Sequence, residues 1–250
     1  MAVFLLIHLL LYPSSNGYNS YMDRDRTAVG GLQNPMQPTR QLFLATVVLD
    51  VSGIVLSFFI SPFFAFSFFF YIVCSRLYSY RGVRLKRFPV AGYLTVILNQ
   101  GGLIFCMAYY AATKDIPATV PWQGIVAASF LIGGFYPITQ VYQYREDEKD
   151  GVQTISMLLG KRGTFVFCAV MYAVAFVLLF FYYKAHQQLL LFIILQIFFV
   201  PVIVYFLKWF LLVWKDESLA DFKHTMRMNW LAATCTNLAF ITIIILKQIG

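Results

Sequence analysis

The sequence predicts an all-α, polytopic membrane helix bundle, and three observations carry that prediction. Of 250 residues, 60% are hydrophobic and only 12% charged, with a mean hydropathy of +0.71, which is outside the range of soluble domains. The apolar residues fall in long runs divided by short polar stretches. The basic residues, which give the chain its net charge of +8, sit almost wholly in alternate loops. Topology explains that pattern better than nucleic acid does, so no nucleic-acid partner is expected. Aromatic residues make up 18% of the chain, which suits helices in contact with membrane lipids and interfacial belts.

Ala2–Leu11 is apolar but about half of the ~20 residues a spanning helix needs. No basic stretch precedes it and no small-residue cleavage site follows, so a shortened first helix is preferred to a signal peptide. A polar loop is expected from Pro13 to Arg40. Further spans are expected at Leu42–Ile60, Phe63–Cys74, Val90–Ala112, Trp122–Tyr142, Thr164–Tyr183, Leu189–Val213 and Trp230–Leu246, about eight helices in all. Ser61-Pro62 reads as a tight turn, the span after it can extend toward Tyr78, and Pro201 is expected to kink its helix.

If each span crosses once, every Lys and Arg falls on one side except Lys114, Lys184 and Lys247. All acidic residues except Asp50 and Asp115 share that side, which is therefore assigned to the cytoplasm. Asp50 lies mid-span, where a charge costs at least ~2.5 kcal/mol, so it should face the interior, be protonated or find a partner. Cys74, Cys106, Cys168 and Cys235 sit in separate spans with no metal-binding spacing and read as buried, inert thiols.

Three charged loops have complementary content. The first carries Asn19, Asp23 and Asp25, the second Tyr78 to Arg87 (YSYRGVRLKR), the third Gln143 to Gly151 (QYREDEKDG). Asn19 and Asp23 share a helical face, whereas Asp23 and Asp25, two apart, would not. Gln143 and Asp147 are also four apart, as are Glu146 and Asp150. Carboxylates suit Mg²⁺, which binds through one or two of them plus substrate phosphates, and Arg and Lys complement the remaining phosphate oxygens. Taken singly, the acidic run reads equally as a solvated helix end laced with ion pairs, and the basic run as a headgroup patch.

Together, NSYMDRD at Asn19–Asp25, the YS…RLK pattern at Tyr78–Lys86 and EDEKDGVQTISMLLG at Glu146–Gly160 resemble the UbiA superfamily of intramembrane prenyltransferases. The order and helix spacing match, and the resemblance covers nearly the whole chain, 1–250, as a single transmembrane prenyltransferase-like domain. It implies a family fold of nine helices whose cytoplasmic polar loops cap a central cavity. Ala2–Leu11 would be the end of the second of these, leaving the chain one and a half helices short. It further implies Mg²⁺-dependent transfer of a prenyl group from an isoprenyl diphosphate to a lipophilic acceptor, aromatic or a quinone precursor, within the membrane.

Catalytic roles would fall to Asp23, Asp147 and Lys86, diphosphate binding to Asn19, Tyr78, Arg84 and Lys86, and metal binding to Asp23, Asp25, Glu146, Asp147 and Asp150. Asn99 and Gln100 would orient the acceptor or hydrogen-bond between helices. Two positions depart from the family pattern, with Thr27 and Gln143 where carboxylates are expected. The alternative is a non-catalytic or transport protein of the same fold with an eroded metal site. CDP-alcohol phosphotransferases are disfavoured because their DGxxAR signature is not found.

Overall fold

The computed structural model describes residues 1–113 and 120–249, and nine helices are found among these described residues. Lys114 and Asp115 lie outside them. Helix α1 is continuous through Ala2–Leu5, a π-helical stretch Leu6–Leu11, and Tyr12–Asp23. The polar loop expected from Pro13 therefore begins only at Arg24. Pro13 has no N–H to donate and sits in the first turn after the π segment, where the change in hydrogen-bond register makes the loss tolerable. Arg24, in the left-handed conformation (φ 57°, ψ 40°), ends the helix.

Helix α2 spans Arg40–Ser57 and α3 spans Pro62–Ser79. Ser61 caps α3 by accepting from Phe64 N (3.0 Å), with Pro62 in the first turn. Helix α4, Pro89–Thr113, contains a second π segment at Ile97–Leu103. Helix α5 is Trp122–Phe135, shorter than the span expected to reach Tyr142; Pro137 cannot donate to a continuing helix, and the chain tightens into the 3₁₀ turn Pro137–Gln140.

The short charged helix α6, Tyr144–Lys149, follows, then α7 (Ile155–Ala185), α8 (Leu189–Lys215, which carries Pro201 in its interior) and α9 (Phe222–Ile249). Among the described residues, 6 helices are long and apolar enough to cross a membrane: α2, α3, α4, α7, α8 and α9. Their outward faces expose Phe66, Ile197 and Leu211, among others, as lipid contact requires.

Three apolar clusters pack the bundle among the described residues, the smallest joining α8 and α9 through Leu195, Ala239 and Ile243; the two larger ones define its halves. One joins α1, α3 and α4 through Leu11, Phe64, Phe68 and Met107. The other joins α7, α8 and α9 through Phe165, Phe206, Trp209 and Met228, and it also takes in Ile138 and Val141 from beyond α5. Helix α5 links the two by close backbone approach, since a Cβ on Gly101 of α4 would lie 2.5 Å from Ser129 Cα.

Asp50 finds a partner. Arg76 Nε of α3 donates to its carboxylate (3.0 Å), Ser14 Oγ of α1 also donates to it, and the guanidinium lies 3.9 Å from the Tyr18 ring centroid. That network ties α1, α2 and α3 together beneath their charged ends. The four cysteines are free, Cys168 and Cys235 buried and Cys74 and Cys106 half-buried.

Candidate active site

The charged ends of α1, α3 and α6 meet over one cavity of about 350 Å³. Its wall includes Asn19, Asp23, Asp25, Tyr78, Lys86, Glu146, Asp147 and Asp150, so eight of the nine residues singled out from the sequence are together there. Thr27 and Gln143 line it too.

From α1, Asn19 and Asp23 point the same way, as their spacing dictates. Ser79 donates to Asn19 Oδ1 (2.8 Å), fixing its amide. Past the left-handed Arg24 the helical rule no longer holds, and Asp25 reaches the same cavity as Asp23 even though it lies only two residues on.

The connection from α3 to α4 contributes the cations. Arg84 adopts a left-handed conformation (φ 52°, ψ 61°) before the 3₁₀ turn Leu85–Arg87, and Gly92 of α4 packs directly on that turn, its notional Cβ 3.0 Å from Lys86 Cα. Lys86 Nζ pairs with Asp23, whose carboxylate is 5% exposed. Arg84 is the ninth residue, and it lies behind the cavity wall. It reaches Asp23 Oδ1 (3.5 Å), pairs closely with the Asp150 carboxylate and donates to Asp150 O (3.1 Å), joining the two acidic segments. Arg81 meets Asp150 Oδ1 (3.5 Å) and donates to Met22 O (2.8 Å).

The third segment is shaped by small residues. Gly151 and Gly160 both have positive φ (65° and 68°), Thr154 caps α7 by accepting from Met157 N (3.2 Å), and Val152 N donates back to Asp147 O (2.8 Å). Tyr144 anchors α6 on α7, its hydroxyl donating to Ser156 O (2.6 Å). The glycines and threonine of this motif thus act on the backbone, aiming Asp147 inward.

Electrostatically the carboxylates divide. Asp23 and Asp150 have cationic partners and Glu146 pairs with Lys149 (2.7 Å). Asp147 Oδ2 is buried with no hydrogen-bond partner. Burial pushes Asp147 up to about 7; the charges of Asp25 and Asp23 add to the rise, against the opposing pull of Lys86 and Arg84. Burial, then the Asp23 charge, pushes Asp25 up to about 6.

Among the described residues, no three His, Cys, Asp or Glu side chains converge on one point. The donor set instead fits a hard cation that takes one or two carboxylates and completes its shell with phosphate oxygens, and Asp147 Oδ2 is an orphaned oxygen suited to it. Sequence reasoning did not single out Tyr136, Gln140 or Asn229, which also line the cavity. Gln140 Oε1 and Asn229 Oδ1 are buried without partners, and Tyr136 shares a close hydroxyl–hydroxyl bond with Tyr78. Tyr136 and Gln140 lie in what reads as an apolar run, and Asn229 just before one, so no charge pattern marks them.

A sequence profile described as the UbiA prenyltransferase family matches residues 1–232. Three solved structures share the fold. A UbiA homologue from Aeropyrum pernix K1 is 17% identical, with a TM-score of 0.72 over 98% of this chain and 90% of that one. A UbiA homologue from Archaeoglobus fulgidus, solved with DMAPP and Mg²⁺, is 20% identical with a TM-score of 0.63 over 97% and 85%. A digeranylgeranylglyceryl phosphate synthase structure is 19% identical with a TM-score of 0.62 over 96% and 84%. No curated protein sequence matches the chain.

Proposed function

The chain belongs to the UbiA prenyltransferase family and is an integral membrane protein, and on that footing we propose that it moves a prenyl group from an isoprenyl diphosphate to a lipophilic, aromatic or quinone-precursor acceptor. The observation that carries the reading is the pair of acidic segments facing one cavity, with Asp147 Oδ2 buried and unpartnered at its wall. Residues 1–250 are taken as one domain, with the charged loops on the cytoplasmic side.

Mg²⁺, held by one or two carboxylates at a time from Asp23, Asp25 and Asp147 with Glu146 and Asp150 beside them, would supply charge neutralisation of the leaving diphosphate. Lys86, on the cavity wall, turns from Asp23 to the phosphate oxygens when the diphosphate enters, while Arg84 stays behind and holds Asp23 and Asp150 in register. Asn19 and Tyr78 position the same group. The C1–O bond of the prenyl diphosphate breaks with its electron pair going to the diphosphate. The acceptor's nucleophilic carbon or oxygen then bonds to C1, and the acceptor's proton leaves to the diphosphate or to solvent. Apolar helix faces keep water from the allylic cation.

Diphosphate release from farnesyl diphosphate, measured in membranes with Mg²⁺ across a panel of phenol and quinol acceptors, tests the reading, with a product mass as the positive result. Absence of release from folded protein across that panel sinks it. The non-catalytic alternative then stands, favoured by Thr27 and Gln143 at expected carboxylate positions and by the lack, among the described residues, of three converging carboxylates.

A further inference from the structure

We infer that a smaller chamber beneath the acidic rim binds the acceptor's head group, and that it accepts an uncharged head group bearing an O–H or N–H donor while rejecting carboxylates and phosphates. The inference rests on the prenyl-transfer reading. The chamber has a volume of about 170 Å³ and is walled by α1 (Ser15, Asn16), α3 (Tyr71, Ser75) and α4 (Asn99, Gln100). Asn16 is seven residues before Asp23 on α1, which puts the chamber about 10 Å deeper along the helix axis. Asn19, Tyr78 and Tyr136 line both chambers and form the partition between them, so a head group below would lie next to the diphosphate site.

Every side chain lining the lower chamber, among the described residues, is uncharged. The surrounding cations are already engaged: Arg76, next to Ser75, is held by Asp50, and Lys86 and Arg84 by Asp23 and Asp150 above. An anionic head group there would lie within the membrane bundle without a counter-ion, which is strongly unfavourable. Much of the wall is already satisfied internally. Ser15 and Ser75 hydroxyls bond at 2.6 Å, Ser79 donates to Asn19 (2.8 Å), and Asn99 Nδ2 donates to Thr95 O (2.7 Å).

The exception is Asn99 Oδ1. Asn99 is 9% exposed and this oxygen is buried without a hydrogen-bond partner. A buried acceptor left open in this way is complemented by a ligand that brings a donor.

The local backbone is built to present it. The π segment Ile97–Leu103 widens the turn at Asn99 and Gln100, a distortion common at functional sites. Gly101 and Gly102 let that widened turn lie on α5, where a Cβ on Gly101 would meet Ser129 Cα at 2.5 Å and Ala128 O at 2.8 Å.

The test uses the wild-type protein in nanodiscs with Mg²⁺ and an unreactive prenyl thiodiphosphate. Equilibrium binding is measured for an alkylphenol, its methyl ether, and the same phenol carrying a ring carboxylate. The phenol should bind, the ether at least about tenfold more weakly, and the carboxylate not detectably at a hundredfold higher concentration. Equal binding of phenol and ether, or measurable binding of the carboxylate, overturns the inference. Asn99→Leu should weaken phenol binding about tenfold and remove the difference between phenol and ether; an unchanged preference would also overturn it. If the variant does not fold, the three-probe series on wild type decides alone. Binding with the expected preference but no transfer overturns the prenyl-transfer reading and leaves the head-group site standing. Transfer to carboxylated acceptors has the reverse effect.

Discussion

Replacing Asp147 with Asn should abolish transfer and yet stabilise the metal-free protein at pH 8. In the fold, burial and the neighbouring Asp25 and Asp23 charges raise the Asp147 carboxyl from 3.8 to about 7. A raised carboxyl pKa means the fold prefers the protonated form. The stability it contributes is complete below pH about 4 and is lost as pH rises to about 7. Three pKa units at ~1.36 kcal/mol each set a ceiling of about 4 kcal/mol on that loss. Asparagine keeps the shape and has no proton to lose, so it escapes the loss. Thermal unfolding in detergent with EDTA, followed by tryptophan fluorescence from pH 4.5 to 8.5, reads the difference. Wild type should fall relative to Asp147→Asn across pH 4 to 7, leaving the variant several degrees more stable at pH 8. Asp25, raised to about 6, titrates in both proteins and largely cancels in the comparison. Mg²⁺ with a prenyl thiodiphosphate should stabilise wild type and not the variant. A variant less stable than wild type at pH 8, or a difference that does not change with pH, would refute the assignment of Asp147 as an unneutralised buried carboxylate.

Asp23→Asn should also be inactive but should move stability the other way, losing about 3 kcal/mol, because Lys86 is left buried without its carboxylate while Arg84 keeps only Asp150; the same unfolding assay separates the two signs. Arg76→Met should lose about 3 kcal/mol by stranding Asp50 in the bundle, and the Arg76→Met/Asp50→Asn pair should recover most of it, which a double-mutant cycle measures. Gly160→Ala should lose about 1–3 kcal/mol, since φ 68° with ψ 167° is essentially a glycine conformation, and should misplace the α7 entry on which Tyr144 anchors α6; a loss within 0.3 kcal/mol would show that the break is not needed.

Much of the bundle was legible because apolar runs and basic loops are set by the bilayer, and each expected span corresponds to a helix. What hydropathy could not show was where polar sequence stays helical. Tyr12–Asp23 continues α1 in spite of Pro13 and Gly17, because Ser14 and Tyr18 face the buried Arg76 network, as a hydropathy window cannot show. Trp122–Tyr142 reads as one run, but Pro137 divides it, and Tyr136 and Gln140 on either side of that break line the cavity. The acidic clusters were visible as charge. Arg84's position behind the wall was not, because it depends on a left-handed residue and a 3₁₀ turn that no spacing rule announces.

The same kind of backbone detail bears on Thr27. Counting by fours from Asn19 through Asp23 leads to Thr27, but that count assumes the helix continues, and α1 ends at Asp23 with Arg24 left-handed. Beyond that point Asp25 and Thr27 both line the cavity, and among the described residues Asp25 and Asp147 make no ion pair of the kind that Asp23 and Asp150 make. The pairs around Arg84 and Lys86 hold the two segments together without a ligand. The raised Asp25 and Asp147 are poorly served by the protein alone and would be served by added positive charge. In the proposed metal site Asp25 therefore stands in for the carboxylate missing at position 27, so Asp25→Asn should abolish Mg²⁺-dependent diphosphate release in the membrane assay, and full release by that variant would refute the role.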